Sequence, residues 1–156
     1  MYIRQAKNAG WVTLVILLAV QLIRPARNSS GQVLPTDIKN TITVPVNIQA
    51  LLQTSCYDCH SNHTNYPWYA NLQPVGWLLN NHVQNGKEQL NFSDFGSYSI
   101  RRQLSKLKAI GSQVQDGEMP LLSYTWMHAN AKLRKEDKIL LITWVRQAID
   151  NISLKN

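Results

Sequence analysis

Apolar residues follow two patterns along the chain, one continuous and one periodic. A continuous apolar segment, AGWVTLVILLAVQLI, occupies residues 9–23, whereas later apolar positions recur three or four residues apart. Recurrence at that spacing puts apolar side chains on one face of a helix. No stretch alternates strictly between apolar and polar residues, the pattern typical of a half-buried strand. The sequence therefore predicts an all-α protein.

Four segments have the periodicity of amphipathic helices, and together they define one folded domain. The second begins at Pro74, which suits a first helical turn, and Gly86 stands just past its predicted end. Gly111 is expected to end the third helix in the same way. The predicted helices cover residues 46–56, 74–85, 99–110 and 135–149, within a domain over residues 46–150 that leaves residues 151–156 as a tail.

Basic residues flank the N-terminal apolar segment, with Arg4 and Lys7 before it and Arg24 and Arg27 after it. This arrangement is typical of a signal peptide or a membrane anchor. No small-x-small cleavage site follows the segment, so we expect it to be retained. It is shorter than the ~20 residues of a typical span, although flanking arginines can extend toward the membrane surface. We predict a transmembrane signal anchor with basic flanks over residues 1–27.

The segment between the anchor and the domain has a different composition. Residues 28–45 contain Gly31, Pro35 and Pro45 and show no sustained helical periodicity. Glycine and proline interrupt helices and are frequent in linkers. We predict a tether that lifts the domain off the membrane.

The formal charge of +7 is the feature that could suggest nucleic-acid binding. Four of the sixteen basic residues flank the apolar segment, and from Asn28 onward twelve basic residues face nine acidic ones. Such a mild surplus leads us to expect no nucleic-acid partner. Two basic concentrations are either solvated helix faces or docking surfaces for an acidic redox partner. They comprise Arg101, Arg102, Lys106 and Lys108, and Lys132, Arg134, Lys135 and Lys138.

Both cysteines of the chain lie in Cys56-Tyr57-Asp58-Cys59-His60, which has the CxxCH spacing of c-type haem attachment. Two thiols three positions apart on a helical turn can each add to a haem vinyl group. The histidine that follows can then bind the iron. We predict one covalent haem c, bound through thioether bonds to Cys56 and Cys59, with His60 as the proximal iron ligand.

Two other kinds of site use the same residue types. A thioredoxin-like dithiol expects a strand-turn-helix setting, which the surrounding sequence does not provide. A zinc site could draw on Cys56, Cys59, His60 and His63. Adjacent Cys59 and His60 can hardly share one tetrahedral ion, however, because zinc ligands are usually separated by two or more residues. We therefore favour haem.

A haem iron that transfers electrons normally has a second axial ligand, and methionine in that position raises the reduction potential. Met119 is our choice for the distal ligand, because Gly117 and Pro120 mark an irregular loop that can approach a flat ring. His82 is the alternative distal ligand, although it could equally be a core histidine or a partner for a haem propionate. His63 is too close in sequence to the CxxCH motif to reach the far face of the haem easily, and we expect His128 at the surface.

Aromatic residues are dense between the motif and the second helix. Trp68, Tyr69 and Trp77 are candidates for the haem pocket, because aromatic rings with polar edges can contact both the ring and its propionates. Ordinary core packing explains them equally well. The carbonyl of Pro67 or Pro74 could accept a hydrogen bond from the Nδ1 proton of His60 and so orient it.

A helix ending in the haem motif, a methionine loop and a terminal amphipathic helix suggest the architecture of a class I cytochrome c. The sequences SNHTNYPWY, HVQNGKEQLNFSDF and GEMP, together with CYDCH, resemble the bacterial haem-binding domain family over roughly residues 34–149. The resemblance implies haem attachment at Cys56 and Cys59 with His60 as axial ligand. The chain departs from the family pattern at Leu121 and Ala129, where proline is usual, and at Arg134, where serine or threonine often caps the last helix.

These predictions lead to a functional hypothesis. We expect a monohaem c-type cytochrome that carries one electron at a time between redox partner proteins and is not an enzyme. The N-terminal segment would anchor it in a bacterial inner membrane, with the haem domain in the periplasm. The alternative is a haem domain with an open or histidine-ligated sixth site, acting in peroxide or small-ligand chemistry or in sensing.

Overall fold

The computed structural model describes residues 2–154, with the side chains of residue 8 and of residues 10–154. Within that range the chain is helical and contains no strand, apart from one isolated bridge between Ser29 and His63. The prediction of an all-α protein is confirmed. The α-helices are α1 Tyr2–Val20, α2 Ile38–Thr41, α3 Val46–Ser55, α4 Tyr57–His60, α5 Val75–Gln89, α6 Ile100–Asp116, α7 Leu122–Met127 and α8 Lys135–Leu154. Short 3₁₀ helices span Trp68–Asn71, Phe92–Ser97 and Ala129–Ala131.

The core forms where α6 and α8 pack together and α3 closes over α8. Leu107 of α6 and Leu141 of α8 are completely buried, as is Leu52 of α3. The apolar stripes of these helices thus meet in one cluster, as the three-to-four-residue spacing requires. Trp144 is buried in this cluster, and its indole nitrogen donates to the Thr43 carbonyl at 3.0 Å. This core is the platform that carries α4.

Two helices continue past the glycines that were predicted to end them. α5 runs through Gly86 to Gln89, and α6 runs through Gly111 to Asp116 before ending at Gly117, which has φ of 77°. Gly117 is therefore the residue that needs the left-handed conformation available to glycine. The prediction that Gly86 and Gly111 end their helices was wrong. Gly86 instead admits the backbone of Cys59, whereas a Cβ at Gly111 would make only an ordinary contact with Val145.

The segment over residues 28–45 packs into the domain and does not extend freely as a tether. Ile38 is completely buried in the core, and Asp37 caps α2 by accepting a hydrogen bond from the Lys39 amide. The Ser30 amide donates to the Asn62 carbonyl at 2.9 Å, and the Thr64 amide donates to the Asn28 carbonyl at the same distance. The folded domain therefore begins near Asn28.

The residues that directly follow α1 form hydrogen bonds with the folded domain. The Gln73 amide donates to the side-chain oxygen of Gln21 at 2.9 Å, and the Trp77 indole donates to the Ile23 carbonyl at 2.9 Å. Among the helices within residues 2–154, none combines the length and the apolar character needed to cross a membrane. The predicted transmembrane anchor is thus unsupported by the structure.

The last helix extends into the predicted tail. α8 continues to Leu154, and Ile152 is buried, whereas Lys155 and Asn156 lie outside the described residues. At the start of α8, the Asp137 carboxylate accepts a hydrogen bond from the Arg134 amide at 3.0 Å and pairs with its guanidinium. Asp137 thus provides the half of a capping box that satisfies the Arg134 amide, whereas Arg134 has no side-chain oxygen to accept from the amides of the first turn.

Candidate haem-binding site

The two cysteines and the histidine of the CxxCH motif occupy a single helical turn. α3 ends at Ser55, the chain bends at Cys56, and α4 begins at Tyr57. The His60 amide then donates to the Cys56 carbonyl at 3.0 Å. Residues spaced by three and four positions share one face of a helix. Cys56, Cys59 and His60 accordingly line the same cavity.

This cavity has a volume of about 300 Å³ and lies between α4, α5 and the segment before α7. The value is at the lower end of the volumes usual for small-molecule sites. Both candidates for the distal ligand line the cavity: His82 from α5, and Met119 from the segment between α6 and α7. Its lining comprises Ser55, Cys56, Asp58, Cys59, His60, His82, Asn85, Gly86, Gln89, Met119, Pro120, Leu121 and Tyr124.

His60 is oriented by the end of α5. Its Nδ1 atom lies 3.0 Å from the Leu90 carbonyl oxygen, and its ring meets Phe92 edge-on at 6.2 Å. A carbonyl only accepts hydrogen bonds, so Nδ1 carries the proton and Nε2 keeps its lone pair for a metal. The orienting carbonyl therefore belongs to Leu90, and the expectation of Pro67 or Pro74 was wrong.

Burial favours the neutral forms of all three motif side chains. Desolvation lowers the pKa of His60, although the carbonyls of Leu90 and Gly86 partly oppose this effect. Desolvation raises the pKa of Cys56 to about 12, with a smaller contribution from Cys59. Desolvation also raises the pKa of Cys59 to about 11, assisted by the Asp58 carboxylate. At neutral pH the site presents two thiols and an unprotonated imidazole.

The close approach of α5 to α4 depends on Gly86. The backbones meet so tightly that any side chain at residue 86 would collide with Cys59. Glycine within a helix lowers its stability by about 1 kcal/mol relative to alanine, so its presence here reflects the need for contact. Gly86 thereby brings the Leu90 carbonyl within reach of His60.

The candidates for the sixth position lie on different segments. Met119 is half-buried, and its amide donates to the Gln113 carbonyl at the end of α6 at 3.1 Å. His82 is also half-buried and lies one turn before Gly86 on α5. His63 and His128 line a separate surface cavity, and Met127 is 58% exposed. Met119 and His82 thus line the cavity of the two cysteines and His60, whereas His63 and His128 line a neighbouring one that shares Asp58 and Tyr124 with it.

Comparison with known proteins agrees with this geometry. The family model described as haem-binding domain matches residues 15–147, which is well over half of the chain. The chain belongs to the haem-binding domain family. No curated protein matches the sequence, and no solved structure matches it either. The family match begins earlier than residue 34, where the sequence motifs suggested that the resemblance starts.

Within this haem-binding domain, the residues of the site suit the cofactor. Two neutral thiols and an imidazole with a free Nε2 share the cavity wall with a thioether, and Pro120 and Leu121 add apolar surface. A tetrahedral zinc site is less suited to this set. In the described part of the chain, no group of three or more His, Cys, Asp or Glu residues is arranged to hold a metal ion.

Asp58, inside the motif, joins α4 to α7. Its Oδ2 atom accepts a hydrogen bond from the Tyr124 hydroxyl at 2.7 Å, and Oδ1 accepts from the Asn65 amide at 3.0 Å. Burial and the bond to Asp58 raise the pKa of Tyr124, so its hydroxyl remains a donor. Sequence reasoning missed both residues. For Asp58, the one indication in the sequence was an acidic side chain between two cysteines that were expected to line a pocket. No local pattern indicated Tyr124.

The aromatic residues predicted for the pocket lie elsewhere. Trp68 is 74% exposed, and Tyr69 contacts the ring of His128 at a centroid distance of 6.2 Å. Trp77 donates its indole N–H to Ile23 and so holds the N-terminal segment. None of the three lines the motif cavity. Tyr124 supplies the aromatic ring there instead, because α7 covers that side of the site.

Proposed function

We propose that this haem-binding domain is a monohaem c-type cytochrome that transfers one electron at a time. The observation that carries the proposal is that Cys56, Cys59, His60 and Met119 line one cavity. The thiols of Cys56 and Cys59 would form the thioether bonds, and Nε2 of His60 would bind the iron. A bound haem supplies the iron whose oxidation state changes by one electron.

The protein residues contribute position, burial and one acceptor bond. The Leu90 carbonyl fixes the tautomer of His60 and increases the basicity of Nε2, which a metal ligand requires. Burial keeps the imidazole unprotonated, so a proton does not compete for the same nitrogen. The hydrogen bond from His60 to Leu90 and the burial of His60 both favour a stable iron–histidine bond, which suits electron transfer better than catalysis. We therefore propose that the protein carries electrons between redox partner proteins.

We propose Met119 as the sixth ligand. It lies on the loop that leaves α6 at Gly117, and its thioether would raise the reduction potential relative to a nitrogen ligand. A CxxCH helix, a methionine loop and a terminal helix occur in this order along the chain, which supports the proposal of a class I cytochrome c-like architecture. His82 fits a role beside the ring, because Asn85 and Gln89 follow it on the same face of α5 and add polar groups there.

We further propose that the chain associates with a bacterial membrane and that the haem domain lies in the periplasm. α1 leaves several large apolar side chains exposed, which lipid would cover. These include Trp11, Val12, Leu14, Val15, Ile16, Leu17 and Leu18. Arg24 and Arg27 follow at the point where anionic headgroups would lie. Membrane fractionation tests this part: the full chain should sediment with membranes, and a chain without residues 1–20 should not.

Haem attachment is tested with the double variant Cys56→Ala/Cys59→Ala. Haem should stay with the unmutated polypeptide on a denaturing gel and should be absent from the double variant. His63→Ala is the matched control, since His63 lies outside the cavity. Retention of covalent haem by the double variant would overturn the proposal.

The sixth ligand is tested by absorption spectra of the oxidised protein. Histidine–methionine ligation gives a weak band near the red end, which Met119→Ala should abolish. Met127→Ala is the control, because Met127 is exposed and outside the cavity. An unchanged spectrum in Met119→Ala would eliminate Met119.

A second function is supported by the presence of His82 in the same cavity. If the sixth site is open, His82 would serve as a distal group in peroxide or small-ligand chemistry, or in sensing. Rapid carbon monoxide binding by the reduced, unmutated protein would favour this function, and slowed binding in His82→Ala would identify the distal group.

A further inference from the structure

The hydrogen bond between Asp58 and Tyr124 links the two sides of the motif cavity. Asp58 lies on α4 between the two cysteines, and Tyr124 lies on α7, five residues after Met119. The hydroxyl of Tyr124 is 2.7 Å from Oδ2 of Asp58, across 66 positions of sequence. The bond therefore connects the segment that attaches the haem with the segment that carries the proposed sixth ligand.

Few other interactions hold α7 in place. Within the described chain, the remaining hydrogen bonds of α7 stay inside residues 121–128. The outward side chains Leu122, Trp126 and Met127 are all exposed, so packing on that face adds little. The Met119 amide is tied to Gln113, which fixes only the start of the loop.

Asp58 is itself held rigidly. Its second carboxylate oxygen accepts from the Asn65 amide at 3.0 Å and from the Asn65 side chain at 3.1 Å. Its carbonyl accepts from the Thr64 hydroxyl at 2.6 Å. A carboxylate fixed in this way provides a firm attachment point, and hydrogen bonds to charged groups are stronger than those between neutral groups.

We propose that Asp58 and Tyr124 are a positioning pair that keeps the Met119 loop closed over the cavity and thereby controls whether the sixth position is filled. This inference rests on the proposed haem function. It adds that the occupant of the sixth site is set by a residue inside the CxxCH motif. Both cysteines lie on the motif turn, outside α7 and the Met119 loop, so loss of the pair should change the sixth ligand and leave the thioether bonds in place.

Tyr124→Phe removes the hydroxyl and retains the ring, including its stacking on His128 at 4.3 Å. Covalent haem should be retained, the red-end band of the oxidised form should weaken, and the reduction potential should fall. The ratio of closed to open sixth sites should drop by on the order of tenfold to a hundredfold, the factor expected for one hydrogen bond to a charged group. Carbon monoxide should bind the reduced variant faster by a similar factor.

Tyr66→Phe is the matched control. It also deletes one hydroxyl that takes part in a hydrogen bond, with the Asn28 amide at 2.8 Å, but Tyr66 does not line the motif cavity. It should leave the band and carbon monoxide binding unchanged. Asp58→Ala should open the sixth site as Tyr124→Phe does, and the double variant should open it no further than the more affected single variant, because both substitutions remove the Tyr124–Asp58 hydrogen bond.

The proposal is overturned if Tyr124→Phe keeps the full band and excludes carbon monoxide as well as the unmutated protein does. If Met119→Ala shows that Met119 is not the ligand, the pair is tested by amide hydrogen exchange of residues 119–128. Exchange there should accelerate in Tyr124→Phe and not in Tyr66→Phe. Unchanged exchange would overturn the positioning role by itself, separately from the haem function.

Discussion

A Cβ atom added to Gly86 would stand 2.6 Å from the carbonyl oxygen of Cys59. That separation is shorter than any ordinary contact between a methyl group and a backbone oxygen, so α5 must move if residue 86 gains a side chain. The Leu90 carbonyl that orients His60 follows one turn later on the same helix. A packing contact and the orientation of His60, the proposed iron ligand, are thus connected.

Gly86→Ala should therefore destabilise the protein and reduce haem incorporation. Forcing a methyl group into a tight contact typically costs about 1–3 kcal/mol, despite the better helix propensity of alanine. Gly111→Ala is the matched control, because its Cβ would lie 3.5 Å from Val145, an ordinary contact. It should be neutral or stabilising by up to ~1 kcal/mol. Urea unfolding of both variants checks this, and equal effects would contradict the assignment.

The two glycines also show how far the sequence predicts the fold. The centres of α3, α5, α6 and α8 follow from periodicity, because burial of one helix face is a local pattern. Their predicted starts agree with the structure to within one residue, but the C-terminal ends of α5 and α6 do not. A glycine near the end of an apolar stripe can terminate a helix or admit a neighbouring backbone. Only the tertiary contact with Cys59 distinguishes these roles for Gly86.

The same distinction holds for the site. Cys56, Cys59 and His60 are close in sequence, so one helical turn suffices to bring them together. The Leu90 carbonyl and the Tyr124 hydroxyl lie 30 and 66 positions from their partners, and no local pattern selects them. Exposed Trp68 illustrates the opposite error, since its residue type suited a pocket that its position does not reach.

Truncation should distinguish a tether from part of the domain. A chain that begins at Asn28 should fold and bind haem, because Asn28 still bonds to Thr64 and Ser61. A chain that begins at Val46 should lose cooperative unfolding, because it lacks buried Ile38. Circular dichroism during thermal unfolding compares the two. Equal stability would mean that residues 28–45 are dispensable.

Alkaline pH should destabilise the fold through Tyr124. Its folded-state pKa is raised above the ordinary tyrosine value of about 10 by burial and by the bond to Asp58. The folded state keeps a proton that the unfolded state releases. The resulting stability is complete below about pH 10 and is lost as pH rises toward the folded-state pKa. Tyr124→Phe should therefore flatten the decline of unfolding free energy above about pH 10, and an unchanged slope in urea titrations would contradict this.

Substitution by alanine should destabilise the protein strongly at one tryptophan and hardly at all at another. Trp144 is only 4% exposed and donates to Thr43, so Trp144→Ala should destabilise by about 3–5 kcal/mol through a cavity and an unpaired carbonyl. Trp68 is 74% exposed and outside the cavity, so Trp68→Ala should change stability by less than about 0.5 kcal/mol. Urea unfolding and the yield of covalent haem should be measured together. If a stable Trp68→Ala variant lost its haem, Trp68 would have to contact the haem, because a loss of stability could not explain the effect.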